Sequence, residues 1–321
     1  MNYNPILIVT GEPNSIFIEI FLKSFKKIKI KSPLILITSE KLFKLQMNKL
    51  RFKKKIRILE KKDLRDQKLD NKSINIINVN YNVSRAFEKI TPKSNDYIKN
   101  CFKIAFEIIK ENNFKKFING PINKKTFLNK NYLGITEYIS KKFKIKKKAM
   151  IIFNNKLSVC PLTTHVPIKH VVKKINKKNI YEKAYLIKIF YKKYFNINPK
   201  IAVLGLNPHC ESIHKFNEDD KIIKPAINHL KKKKFKISGP YSADTLFLKN
   251  NRKKFDIIIG MYHDQVLTPI KTLFEYDAIN ITLGLPFIRI SPDHGPNEKM
   301  IGKNISNPLS LIKAISFLDK N

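Results

Sequence analysis

The feature that most constrains this chain is a recurrence. Short apolar runs of strand length each end in a polar loop, and stretches of helical spacing lie between them. Residues 6–10 run into Gly11-Glu12-Pro13, residues 34–38 into Ser39, and residues 117–119 into Gly120-Pro121. Residues 201–206 end in Asn207-Pro208-His209, and residues 256–261 end in Tyr262-His263-Asp264. Helical spacing fills the intervals, as in residues 95–112 and 180–195. Strands alternating with helices predict an α/β protein whose parallel sheets are covered by helices. Ligands of such sheets sit beyond the carboxyl ends of the strands, where these polar loops fall.

With 321 residues, 43% of them hydrophobic, the chain can bury a sizeable core in two ordinary domains or one large one. No apolar run approaches the roughly 20 residues that cross a bilayer. The first residues, MNYNPILIVTGEPNS, read as a strand entering a loop rather than as a signal peptide. The three cysteines, Cys101, Cys160 and Cys210, are far apart and form no CxxC pair, so a reducing cytoplasm is expected. No internal repeat, Gly/Ser-rich linker, GxGxxG turn or GxxxxGK[ST] loop is present, so any dinucleotide would be held without the Rossmann glycines.

The net charge of +39 invites a nucleic-acid reading. Compositional drift accounts for it better. Lys, Ile and Asn are abundant together, share A/T-rich codons, and are spread along the whole chain, while glycine is only 9 residues of 321. The runs Lys146–Lys148 and Lys231–Lys234 read as solvated helix faces or turns, and nucleic acid is not the expected partner.

Three histidines follow strand-like runs: His165 in LTTH, His209 in LNPH and His263 in MYHD. Three neutral imidazoles with an open fourth position make a catalytic divalent-metal site. Any single loop histidine is more simply a hydrogen-bonded surface residue; the placement of all three at strand ends is what favours ligation. His170, His214 and His229 stand in Lys-rich or helical surroundings and suggest no chemistry. Beyond His263, Lys271, Asn280 and Arg289 are spaced nine residues from one another, and cations beside a metal suit a substrate carrying phosphate and carboxylate. Arg289 is the more telling of the two cations, because arginine is rare in this lysine-biased chain.

These residues, with TGEP at 10–13, GPINK at 120–124, TTHVP at 163–167, GLNPH at 205–209, Gly239-Pro240 with Ala243-Asp244-Thr245, YHDQ at 262–265, NITLGLPFIR at 280–289 and Asp293-His294-Gly295, occur in one order over nearly the whole chain. The chain thereby resembles the 4-hydroxythreonine-4-phosphate dehydrogenase family of pyridoxal phosphate biosynthesis. The resemblance implies a two-lobed fold like that of isocitrate and isopropylmalate dehydrogenases, with helix-covered sheets and a central cleft. It places residues 1–120 with 265–321 in a first lobe and 121–264 in a second. It implies a divalent metal, zinc, magnesium or cobalt, on His165, His209 and His263, the third ligand coming from a partner subunit and hence a homodimer with a shared site. It implies substrate contacts at Thr136, Lys271, Asn280 and Arg289, and acidic groups near the site at Asp244 and Asp264. NAD or NADP is expected on the loop 293–308, with His294, Gly295 and Asn307 among its contacts. The implied reaction is oxidation of 4-phosphohydroxy-L-threonine, with decarboxylation, to 3-amino-2-oxopropyl phosphate. The metal favours loss of the hydroxyl proton, hydride passes to nicotinamide, and Lys271, Asp244 or Asp264 moves the proton.

The chain departs from the family pattern in places. The family's Gly-His-Thr-Glu reads Gly134-Ile135-Thr136-Glu137, and Ile135 neither hydrogen-bonds nor titrates. Losing that polar contact costs about 1–3 kcal/mol of substrate interaction unless another group compensates. The glycines expected after Gly-Glu-Pro and after His209 are replaced by Asn14-Ser15-Ile16-Phe17 and Cys210-Glu211-Ser212-Ile213, and Pro296-Asn297-Glu298-Lys299 is also unusual. Besides the family activity, two readings fit: a paralogue acting on a four-carbon sugar-acid phosphate or a dihydrodiol, and a non-catalytic, basic nucleic-acid-binding relative. Retention of the three histidines and of the Lys/Asn/Arg set favours an enzyme.

Overall fold

The computed structural model describes residues 3–320, apart from 63, 65, 66, 68, 129–131, 213–215 and 293. His214 and Asp293, both named above, therefore lie outside the described residues. The chain divides into a first unit, Met1–Tyr138 with Pro286–Asn321, and a second, Ile139–Leu285.

In chain order the first unit contains β1 (Ile6–Val9), α1 (Phe17–Lys27), β2 (Leu34–Thr38), α2 (Glu40–Lys49), β3 (Ile56–Ile58), β4 (Ile74–Asn78), α3 (Asn95–Glu111) and β5 (Lys116–Asn119). Helix α4 (Ile135–Lys142) spans the division. The second unit continues with β6 (Ala149–Phe153), β7 (Ser158–Pro161), α5 (Lys177–Phe195), β8 (Ile201–Leu204), α6 (Lys224–Lys232), β9 (Ile237–Tyr241), α7 (Ala243–Leu246) and α8 (Lys249–Arg252). It ends with β10 (Ile257–Gly260), α9 (His263–Phe274) and β11 (Ile279–Leu283); β12 (Ile288–Pro292) and α10 (Leu309–Lys320) return to the first unit.

Within the first unit the strands lie in the order β3-β4-β2-β1-β5-β12, and every pairing is parallel. The register sets Ile6 of β1 against Leu34 on one side and Lys116 on the other. All four residues of β1 are fully buried. A continuous apolar strand is what a parallel sheet covered on both faces requires, since no face is left for polar alternation. Helix α1 buries Phe17, Ile18, Ile20, Phe21 and Leu22, and α3 buries Ile98, Phe102, Ala105 and Ile109, the 3.6-residue spacing of amphipathic helices.

The second unit orders its strands β11-β6-β7-β10-β8-β9. β7, β10, β8 and β9 run parallel, while β6 is antiparallel to both of its neighbours. Its core joins Ile152, Val159, Ala202, Leu204, Ile258, Val266 and Ile270. The apolar run that follows Asn280 is broken into two strands at Gly284, whose φ of +94° favours glycine; a Cβ there would also meet the carbonyl of Lys147.

The important placement is that β10 lies between β7 and β8, all three pointing the same way. Their carboxyl ends therefore open side by side. Those ends carry the segments bearing His165, His263 and His209 respectively.

Candidate active site

Three loops leave the carboxyl ends of β7, β10 and β8. The first is joined to the second by Leu162 N–H donating to the Gly260 carbonyl at 2.7 Å and by Thr163 Oγ1 donating to the Met261 carbonyl at 2.8 Å. The second is joined to the third by Gln265, whose Oε1 accepts from Met261 N–H at 2.7 Å and whose Nε2 donates to the Gly205 carbonyl at 2.8 Å. The third is fixed from below by Asp219, which is fully buried. Its carboxylate accepts from Leu206 N–H at 2.8 Å, Asn207 N–H at 3.1 Å and Asn207 Nδ2 at 2.8 Å.

The rings of His165 and His263 lie 5.7 Å apart between centroids, tilted by 36°. His263 Nδ1 is 2.7 Å from Asp264 Oδ1. With the hydrogen on Nδ1, the carboxylate orients the ring and leaves Nε2 with its lone pair outward, the arrangement of a carboxylate-supported metal ligand. His165 and His209 both hold left-handed backbones, φ +51° and +54°, uncommon for a residue other than glycine and held only where surrounding contacts over-determine it. His165 and His209 are exposed and His263 half-buried, so all three are open to solvent-borne ligands. Among the described residues of one chain, no group of three His, Cys, Asp or Glu side chains is gathered closely enough to hold a metal. The chemistry of the set nonetheless fits a divalent cation: two imidazoles within reach of each other, one of them with its ring oriented by an acid.

Asp244, in the first turn of α7, accepts from Ser242 Oγ at 2.5 Å. That hydrogen bond holds its carboxyl below the usual range, and the charge of His209 acts in the same direction. Lys271 stands on α9, two turns beyond His263. Asn280 on β11 turns its Nδ2 to Met150 Sδ at 3.3 Å, and its buried Oδ1 has no hydrogen-bond partner among the described residues.

The other expected residues stand in the first unit. Arg289 on β12 is fully buried, and burial lowers its pKa to about 9 against the charge of Glu137, which raises it. Its Nε donates to Asn119 Oδ1 at 2.7 Å and its Nη1 to Thr136 Oγ1 at 3.3 Å, so Thr136 and Arg289 meet at the amino end of α4. His294 Nδ1 lies 3.0 Å from the Gly295 carbonyl, and its ring is 6.3 Å from that of Phe17. Gly295 is exposed. Asn307 Oδ1 accepts from Leu309 N–H at 2.9 Å and so caps the start of α10.

Sequence reasoning missed the groups that hold these loops. Buried Glu19 accepts from Ser306 N–H at 2.7 Å, and Lys23 beside it donates to the carbonyls of Asn304 and Ser306 at 2.9 and 3.0 Å, tying residues 304–306 to α1. Glu12, almost wholly buried at the end of β1, accepts from Ser94 Oγ at 3.2 Å and Asn14 N–H at 3.3 Å, and burial pushes its pKa up to about 7. The available signal was scarcity: with only 25 acids against 64 cations, an acid inside an apolar stretch is worth noticing. Gln265 stood in plain view in YHDQ without a role.

The family model described as pyridoxal phosphate biosynthetic protein PdxA matches residues 29–318. A 4-hydroxythreonine-4-phosphate dehydrogenase of Sulfurihydrogenibium sp. (strain YO3AOP1) is 36% identical over 315 residues, spanning 97% of this chain and 96% of that protein. The solved structure of a 4-hydroxythreonine-4-phosphate dehydrogenase from Klebsiella pneumoniae is similar with a TM-score of 0.84 at 25% identity, over 98% of each chain. A beta-decarboxylating dehydrogenase from Thermococcus kodakarensis shares the fold alone, with a TM-score of 0.52 at 11% identity over 98% of this chain and 82% of that one. With most of its length matched by the family model and by a full-length relative above 30% identity, the chain belongs to the pyridoxal phosphate biosynthetic protein PdxA family.

Proposed function

We propose that this chain is a metal-dependent dehydrogenase that oxidises 4-phosphohydroxy-L-threonine with NAD or NADP and yields, after loss of carbon dioxide, 3-amino-2-oxopropyl phosphate for pyridoxal phosphate biosynthesis. Family membership supports the oxidoreductase class and the pathway. The single observation behind the metal is the side-by-side emergence of the His165, His263 and His209 loops from three adjacent parallel strands.

In this reading His165, His209 and His263 hold the cation, with one imidazole supplied by the partner subunit of a homodimer. A divalent cation bound there would supply Lewis-acid chemistry, lowering the pKa of a substrate hydroxyl and polarising a carbonyl beside it. The remaining work belongs to the chain. Asp264 keeps the His263 ring in its ligating tautomer. Thr136, Lys271, Asn280 and Arg289 contact the substrate, the two cations receiving its phosphate and carboxylate and fixing its orientation. Lys271, Asp244 or Asp264 exchanges the proton with the reacting centre. The segment 293–308, through His294, Gly295 and Asn307, takes the nucleotide in the first unit, and Glu19 and Lys23 hold part of that segment in place. The free thiols Cys101, Cys160 and Cys210 suit a reducing cytoplasm.

The test is a substrate panel. Purified protein is given 4-phosphohydroxy-L-threonine, erythronate 4-phosphate or threonate 4-phosphate, with NAD or NADP, with and without chelator. Reduction of the nucleotide fastest with the first substrate, and abolished by chelator, is the expected result. Faster turnover of a sugar-acid phosphate moves the assignment to a paralogue. No turnover with any metal, together with salt-sensitive nucleic-acid binding, overturns it.

A further inference from the structure

We infer that a basic hollow at the amino edge of the first unit's sheet is a binding site for a small anion carrying several phosphate groups. The hollow is a cavity of about 600 Å³, within the range of small-molecule sites. Helices α1 and α2 follow the parallel strands β1 and β2 and pack together through Phe21 and Phe43, whose rings are 6.2 Å apart, so both helices end at the same edge. Residues 28–30 leave α1 there on the way to β2. Past α2, Arg51 takes a left-handed backbone, φ +53°, and turns the chain back. Its N–H donates to the Asn48 carbonyl at 3.0 Å, and Phe52 N–H donates to the Met47 carbonyl at 3.0 Å. Both turns line the hollow, which therefore gathers Lys26 and Lys29 from one and Arg51, Lys53 and Lys54 from the other. Within this sheet it lies at the opposite edge from the segment 293–308, which follows the carboxyl end of the parallel strand β12.

Lysine is spread along this chain, so cations alone argue little; their convergence on one cavity is the observation. Among the described residues no acid lines the hollow, and none of its five cations forms an ion pair. The cavity beside α5, by contrast, has Glu182 among its lysines. The carboxyl ends of α1 and α2 supply about −0.5 charge each, which offsets about one of the five cations. At physiological salt, charges more than about 8 Å apart are largely screened, so scattered lysines do not add, whereas cations around one cavity act on the same ion. Phosphate suits them, because lysine and arginine donate charge-assisted hydrogen bonds to its oxygens, arginine two at once. Asn71, on the same wall, accepts from Leu34 N–H at 2.9 Å and donates to the Ser32 carbonyl at 3.0 Å, and so braces the entry to β2. Half-buried Phe25 and Phe52 add an apolar wall, and Lys54 Nζ lies 5.7 Å from the centre of the Phe25 ring. A phosphate chain joined to a planar ring, as in a nucleotide, would use cations and rings together; inorganic polyphosphate would use the cations alone.

The experiment is calorimetric titration of the full chain, at about 0.15 M salt, with inorganic tripolyphosphate, ATP and adenosine. Saturable binding of tripolyphosphate is expected. Lys29→Ala with Lys53→Ala takes one exposed cation from each turn and should weaken that binding about tenfold. Lys231→Ala with Lys232→Ala removes the same charge from the exposed end of α6 and should leave affinity within about twofold. Equal losses in the two double variants overturn the inference, since net charge then explains the binding. Wild-type affinity in the Lys29/Lys53 variant, or no saturable binding by the parent, overturns it as well. So does adenosine binding as tightly as ATP, which makes the hollow an apolar site. ATP binding more tightly than tripolyphosphate, with the advantage lost in Phe52→Ala, upholds the site and identifies a nucleotide; equal affinities uphold it for the phosphate chain alone.

Discussion

Asp219→Asn is the sharpest probe of how the His209 loop is held. The Asp219 side chain is fully buried and accepts three hydrogen bonds, one at Oδ1 from Leu206 N–H and two at Oδ2 from Asn207. Asparagine has nearly the same shape but only one accepting atom. Whichever way its amide turns, the NH2 group faces a backbone N–H, so at least one hydrogen bond to a charged acceptor is lost and one buried donor is left unpaired. A hydrogen bond to a charged group contributes about 1.5–3 kcal/mol, and an unpaired buried donor costs about 1–3 kcal/mol. These overlap, so the net destabilisation expected is about 2–4 kcal/mol. The assay is urea unfolding of chelator-treated protein, read as the shift in midpoint at constant slope. Cobalt titration of the same variant should show weaker binding, because residues 206–207 lead directly into His209. A midpoint within about 0.5 kcal/mol of wild type refutes the claim that this carboxylate holds the loop.

Two further outcomes are expected. Ile135→His restores a polar group at the amino end of α4, next to the Thr136 that meets Arg289. It should raise kcat/KM for 4-phosphohydroxy-L-threonine roughly tenfold by steady-state kinetics; an unchanged or lower value shows that the isoleucine is already compensated. Glu12→Gln should alter the pH dependence of stability. The Glu12 pKa, raised by burial to about 7 from an ordinary 4.5, means that the folded chain holds this proton more tightly than the unfolded chain. Wild type therefore loses stability as pH rises from about 4.5 through about 7. The variant escapes that loss and should exceed wild type by about 2–3 kcal/mol above neutrality while matching it near pH 4. Parallel stability curves for the two proteins across this range contradict the burial argument.

The strands were legible because they are buried on both faces and written as continuous apolar runs; residues 34–38 became β2 without adjustment. Helix α3 ends within one residue of its predicted limit, its amphipathic period being unbroken. Strand order was not legible. Nothing in residues 149–153 announces that β6 runs antiparallel between β7 and β11, because an apolar run carries no direction. The apolar run after Asn280 gave no sign by composition that it would become two strands; that depended on the positive φ of Gly284. At the candidate site the histidines could be named from their strand-end loops. The braces could not, since Gln265 reaches the Gly205 carbonyl 60 residues away and Asp219 the backbone of Leu206 and Asn207, 13 and 12 residues away, contacts that no local pattern records.

The central claim is a cation held by three imidazoles. It is tested most directly by measuring cobalt or zinc affinity and nucleotide-reducing turnover side by side for His165→Ala, His209→Ala and His263→Ala. The account predicts that each folded variant loses both metal and turnover. A variant that keeps wild-type affinity and rate removes its histidine from the site and contradicts the account.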